Sequence, residues 1–236
     1  MTTYEIIVTD VTRYGTLYCV AGWDRIRGGM IRPEPSGAIA ANEPSRFWDG
    51  QHAGPNRTFA VGNIVRFDAN APAANFQFPH ATEDRILVAG QPIMLLAQQT
   101  VAQTAQAVAG GISPTLEAAF NNGLIRAASN KAHVPIGYNG RSLGAIEIAP
   151  NQIQFYVQSF DPAKPQLRSR ITVGNNLYDL SVPADAAKSR WQGQGLAGLQ
   201  ADAQASMRIH VRVGLSRPFA AMPNSCYSQV NGLYFL

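Results

Sequence analysis

The segment Met207-Arg208-Ile209-His210-Val211-Arg212-Val213 trades apolar for basic residues at every step. Successive side chains of a β-strand point to opposite faces, so a period of two marks a strand with one buried side. Met207, Ile209, Val211 and Val213 then face a core, and Arg208, His210 and Arg212 line the other side. Leu167-Arg168-Ser169-Arg170-Ile171 repeats the pattern with Arg168 and Arg170 outward, and Gln152–Gln158 sets Tyr156 outward among glutamines.

Short strands of this kind account for most of the chain. At the N-terminal end, Tyr4–Val11 and Thr16–Trp23 flank a turn at Arg13-Tyr14-Gly15, and Gly28-Gly29 precedes Met30-Ile31-Arg32-Pro33. Residues 34–58, rich in Pro and Gly, form a long loop of the sort that is functional or mobile. Val61–Asp68 and Arg85–Ala89 resume the strands. Ala97–Ala109 has helical composition and ends at Gly110-Gly111. Ser113 and Pro114 fit the N-cap and first position of a second helix that stops at Gly123. Ser142–Ile148, Gln152–Gln158, Gln166–Val173, Leu177–Val182, Met207–Leu215 and Cys226–Phe235 are strands, with a short helix near Asp185–Gln192. The expected fold is mainly β: two small OB-like barrels joined by a short helical segment, with a first barrel over 1–90, a helical bridge over 91–135 and a second barrel over 136–236. No internal repeat is visible in the letters.

Charged residues are only 14% of 236, against 46% hydrophobic, which suits a packed core and not a disordered chain. The net charge of +4 permits an anionic partner. Of 19 lysines and arginines only Lys131, Lys164 and Lys188 are lysine. Arginine grips phosphate with a planar fork and stacks on bases; a GC-rich genome also yields arginine excess, and both readings stand. Cys19 and Cys226 lie near opposite ends in apolar runs and read as free thiols. The start lacks a signal-peptide pattern and no apolar run is long enough to span a bilayer, so the expected compartment is the cytoplasm, with no membrane partner.

If the alternating strands are neighbours, Arg168, Arg170, Arg208, His210 and Arg212 form a basic face with Tyr156 as a stacking group. That equips a platform for single-stranded nucleic acid or an anionic nucleotide. Acidic residues are absent from these three segments. The competing reading is an ordinary solvated strand face. Arg25, Arg27 and Arg32, set around tight turns, extend the candidate surface, although Arg32 also suits a strand-end role bonding loop carbonyls. Trp23 reads as core.

Several short elements resemble the dual OB-containing domain family of bacterial conflict (defence) systems. They are Cys19-Val20-Ala21-Gly22, Met30-Ile31-Arg32-Pro33, Val61-Gly62-Asn63-Ile64-Val65, Glu83-Asp84, Cys226-Tyr227 and Val230-Asn231-Gly232-Leu233. The resemblance implies two fused OB barrels and a nucleic-acid or nucleotide sensing role, with no catalytic residues to transfer. Three positions depart from the family's pattern: Tyr18 replaces a basic residue, Met30 a tryptophan and Asn63 an aspartate.

Enzyme signatures fit poorly, and the sequence implies neither cofactor nor metal. Gly193-Gln194-Gly195-Leu196-Ala197-Gly198 matches a dinucleotide fingerprint by letter but follows a helical stretch, and reads as a glycine loop. Glu83-Asp84 suits a helix cap or salt bridge. Three functions follow in order: a non-catalytic nucleic-acid or nucleotide binding module; an interaction subunit for an effector protein encoded nearby; and a small-ligand hydrolase with Arg46, Trp48, Asp49 and His52 in its loop.

Overall fold

The computed structural model describes residues 1–40, 42–72, 79–159, 165–219 and 221–236. The fold is mainly β and divides into two compact units, Met1–Gly111 and Ile112–Leu236.

Unit 1 holds β1 (Thr2–Tyr14), β2 (Leu17–Asp24), β3 (Met30–Glu34), β4 (Asn63–Asn70), β5 (Asp84–Leu87), β6 (Met94–Gln98) and the helix α1 (Val101–Ala107). β1 lends both its edges. Thr2–Ile7 pairs with β4 and Ile6–Tyr14 with β2, the latter ladder interrupted by a bulge between Val8 and Asp10. β2 pairs with β3, β3 runs parallel to β5, and β5 returns to β4. The pairings therefore form a ring, uneven because the ladder between β4 and β5 is short. Ile6, Val8, Val20, Ile31, Phe59 and Phe67 fill it. A Cβ at Gly22 would lie 2.6 Å from the Ile7 carbonyl oxygen, so the close approach of β1 and β2 requires glycine there.

Unit 2 holds β7 (Ile112–Ser113), α2 (Leu116–Ala119), β8 (Ile125–Arg126), β9 (Ala132–Pro135), β10 (Leu143–Ile148), β11 (Ile153–Gln158), β12 (Gln166–Val173), β13 (Asn176–Ser181), α3 (Asp185–Ala205), β14 (Ile209–Leu215) and β15 (Ser225–Phe235). β10 pairs with β14, β11 with β12, β12 with β13, β13 with β15 in parallel through Ser181 and Gln229, and β15 with β14. β10 and β11 are separated by a single turn at Pro150–Gln152. Together they take the place that β1 holds in unit 1, so the pairing order of one unit repeats in the other. Ile146, Phe155, Leu167, Ile171, Leu180 and Val211 belong to the core.

Residues 91–135 are not a continuous helical bridge. Met94–Gln98 pairs with β4 as a strand, and the helix begins only after Thr100, whose hydroxyl accepts from the Gln103 amide while the Gln103 side chain accepts from the Thr100 amide. The unit boundary falls within this segment. Thr115, not Ser113, caps α2: its hydroxyl accepts from the Ala118 amide at 3.1 Å. Asn121 and Asn122, at positive φ, reverse the chain before Gly123.

The helix expected to end near Gln192 extends to Ala205 and absorbs the glycine loop. It is broken at Gly195, with φ 70° and ψ −178°, a conformation essentially reserved for glycine. Arg190 and Asp202, 12 positions apart, form a two-pronged ion pair with both contacts at 2.6 Å. A straight helix would separate them by about 18 Å, so α3 doubles back at Gly195. Its second limb docks on the sheet edge. The Gln200 side chain accepts from the Phe155 amide at 3.1 Å and donates to the Ile153 carbonyl at 3.2 Å, acting as a strand partner for β11. No helix among the described residues is long and apolar enough to cross a membrane.

Gly195→Ala forces an unfavourable backbone at the reversal. It is expected to lower stability by about 1–3 kcal/mol, read from the urea midpoint at unchanged m-value.

Candidate nucleic-acid interface

Cross-strand partners in a sheet share a face. Tyr156 pairs with Arg168, Arg168 with Ser181, Ser181 with Gln229 and Gln229 with Gly214. Gly214 lies two and four positions from Arg212 and His210 on β14, so these groups all emerge on the side of the sheet away from the core. Their surroundings differ along it.

At β11–β13 the face is open. The Arg170 guanidinium lies over the Tyr156 ring, 4.9 Å from its centroid, and Arg170 is exposed. The Tyr156 hydroxyl donates to Asp179 Oδ1 at 2.6 Å and accepts from Arg168 Nε at 3.1 Å. Arg168 also bonds Asp179 Oδ1 at 3.0 Å and the Asp179 carbonyl at 3.2 Å. Burial and the bond to Asp179 push the Tyr156 phenol pKa up, so it stays a neutral donor. The ring is thus fixed at its far end by a carboxylate and a buried guanidinium, while Arg170 presents its plane outward. A cation over an exposed ring is worth about 0.5–1 kcal/mol. The two guanidinium groups against one carboxylate leave this patch positive.

At β14 the face is closed. His210 is fully buried and stacks on Tyr234 with centroids 5.2 Å apart; Arg212 is 1% exposed and approaches His210 Nε2 at 3.5 Å. Burial, then Arg212 and Arg208, push the His210 pKa down to about 3. His210 is therefore neutral at physiological pH and carries no charge for a phosphate. Arg208 is exposed, 3.7 Å from Glu147. The expectation of one accessible basic wall is corrected accordingly: Arg170 and Arg208 are exposed, whereas Arg168, His210 and Arg212 are buried. Acidic groups absent from the three alternating segments come from their neighbours, Asp179 on β13 and Glu147 on β10.

Asp179 was not singled out by sequence. The available signal was the alternation of β13, which places Asp179 and Ser181 outward beside Arg170 and Arg168.

The N-terminal arginines separate in the same way. Arg25 pairs with Glu5, which also takes Arg66 at 2.8 Å. Arg27 bonds Asp24 at 3.0 Å and lies over Tyr4 at 4.8 Å. Both are exposed. Arg32 is buried and bonds Asp84 at 2.6 Å; Asp84 also pairs with Arg46, which grips Glu34 with contacts of 2.7–3.1 Å. This chain of alternating charges ties β3, β5 and the 34–58 loop together. Arg32 is a structural group and not part of an open surface. The loop is anchored further by Tyr18 and Trp48, which exchange backbone bonds of 2.8 Å, and by Trp48 Nε1, which donates to the Pro33 carbonyl. Asn63 donates to the carbonyls of Arg57 and Thr58 at 2.8 and 3.0 Å. Arg46 and Trp48 are buried, while Asp49 and His52 bond each other at 2.8 Å on the exposed side and the His52 ring lies 5.6 Å from that of Trp48. Cys19 and Cys226 are free thiols.

No protein-family model matches the chain, and no curated protein matches it. Among solved structures, a murine DNA-binding protein bound to double-stranded DNA aligns with 99% of this chain and 94% of its own chain, at 8% identity and a TM-score of 0.32, a score from which a common fold does not follow.

Two outcomes separate structural from surface cations. In urea denaturation, Arg46→Ala removes the forked partner of Glu34 and one partner of Asp84 and is expected to cost about 3 kcal/mol, whereas Arg170→Ala is expected to cost no more than about 1 kcal/mol. His210, neutral in the fold, takes up its proton at the ordinary pH of about 6.5 once unfolded. Its contribution to stability is complete above pH 6.5 and falls as the pH drops towards 3. His210→Phe is expected to flatten that part of the acid limb in thermal melts from pH 7 to 4.

Proposed function

We propose that the chain is a non-catalytic module that binds single-stranded nucleic acid or an anionic nucleotide on the β11–β13 face of unit 2. The observation that carries this reading is the exposed Arg170 plane held over a Tyr156 ring that is already locked by Asp179 and Arg168. Bases stack on such a plate without regard to sequence, and phosphates meet the guanidinium groups. Both units are read as OB-like barrels. In support, each has a three-stranded meander, a parallel contact between its third and fifth strands, and a first strand, divided into β10 and β11 in unit 2, that serves both neighbours. In unit 2 a helix also sits between the third and fourth strands. The ligand face then lies on the first three strands, where oligonucleotide-binding barrels of this design carry theirs. The family resemblance adds a role in a bacterial defence system, acting in the cytoplasm.

A second reading, an interaction subunit for an effector protein encoded nearby, is favoured by β6. Met94, Leu95 and Leu96 are 43%, 48% and 38% exposed on a strand that pairs with β4 along one edge. Uncharged apolar strands at a sheet edge are points of attachment for another chain.

Fluorescence anisotropy with short single-stranded oligonucleotides at about 50–200 mM salt tests the first reading. Affinity is expected to fall with salt. Arg170→Ala is expected to weaken binding about tenfold through lost stacking and to lower the salt slope by about 0.7. No binding at the lowest salt removes the nucleic-acid reading and leaves the protein partner.

A further inference from the structure

We propose that unit 2 carries a second base-stacking plate, built from Phe219, Tyr227 and His133, so that the ligand is a single strand of several nucleotides and not a lone nucleotide; this rests on the nucleic-acid reading of the β11–β13 face. His133 stands opposite Tyr227 in the β9–β15 ladder, and their rings lie 5.4 Å apart. Phe219, in the turn before β15, adds a third ring 6.0 Å from that of Tyr227. Ile125 stands opposite His133 on β8 and closes the row at its other end. Ala132, Val134 and Cys226 belong to the core, so the alternation of β9 and β15 puts His133 and Tyr227 on the outer side of the sheet. Phe219 and Ile125 are 50% and 51% exposed, so the row is open at both ends.

The register sets this row level with the first plate. Ser181 on β13 stands opposite Gln229 on β15, and the two strands run parallel, so two residues earlier Asp179 is level with Tyr227. Arg170 stands across the strand pair from Asp179. The chain entering β9 meets β13 at the same level: the Asn130 carbonyl accepts from the Asp179 amide at 2.8 Å, three residues before His133. Two to three strand spacings, about 10–15 Å, therefore separate Arg170 from Tyr227. A mononucleotide has one base and serves one plate; a continuous strand serves both. Charge favours the same occupant. Residues 118–146 and 203–236, which supply β8, β9, Phe219 and β15, contain no aspartate or glutamate. Lys131 lies in the chain between Asn130 and His133, and Arg217 follows Ser216, whose amide donates to the Tyr227 carbonyl at 2.7 Å. Rings interleaved with cations suit a phosphodiester backbone whose bases stack in turn.

The test binds a labelled thymidine octamer to the whole chain at low salt and displaces it with thymidine monophosphate or with unlabelled octamer. The octamer is expected to compete more than about tenfold better than the monophosphate, beyond the few-fold gain from its several registers. Phe219→Ala removes the exposed ring and is expected to weaken octamer binding about tenfold, shrinking its advantage over the monophosphate by the same factor. Tyr227→Ala is expected to act in the same direction, with circular dichroism checking that each variant is folded. The comparison of competitors needs no variant, and Phe219 lies on an exposed turn, so a misfolded Tyr227→Ala leaves the question decidable. Competition by the monophosphate equal to that of the octamer overturns the second plate and leaves the β11–β13 reading intact. Undiminished octamer affinity in folded Phe219→Ala also overturns it. Failure of the octamer to bind overturns the binding reading itself, and the inference with it.

Discussion

A sheet closes into a ring only where one strand gives a different edge to each neighbour. In unit 1 a single thirteen-residue strand does this, bent by a bulge at Val8–Asp10. In unit 2 the same duty is split between β10 and β11, and the bend is a turn at Pro150. Proline suits the corner because it has no amide to leave unpaired where the ladder changes partner. From these two bends the rest follows. They set which strands are adjacent and bring β11 beside β12, which is what lays Tyr156 against Arg168 and Arg170.

The two units handle buried charge differently. In unit 1, Arg32, Asp84, Arg46 and Glu34 alternate in sign, so each cation meets a carboxylate and the 34–58 loop is held by electrostatics as well as by Trp48. Ion pairs removed from water add little when compared with apolar packing, yet are costly to break one partner at a time. Their value here is in register: β3 and β5 run parallel, and the Arg32–Asp84 pair fixes which residues face each other. In unit 2, the carboxylate of Asp179 is shared between a buried guanidinium and a phenol, at a point where solvent still reaches it.

Most strands were legible as letters because their alternation is local. Gln166–Val173 has the same limits in sequence and structure, and the sides on which Arg168, Arg170, His210 and Arg212 emerge are those their alternation predicts. Alternation tells which way a side chain points but not what lies over it, which is why Arg168, His210, Arg212 and Arg32 read as surface groups and are buried. Met94–Gln98 has helix-forming composition, and only its pairing with distant β4 makes it a strand. The reversal at Gly195 was hidden for a related reason, since its clamp joins residues too far apart for any local pattern. Asp179 is recognised by partners on two other strands, and its importance is invisible without the register.

Asn63 shows how one side-chain amide can fix the path of a loop. Its amide hydrogens satisfy two carbonyls of the preceding loop. An aspartate at this position would have no hydrogens to offer, and its charge would face those same oxygens. A chain cannot exchange one residue for the other while keeping this loop path.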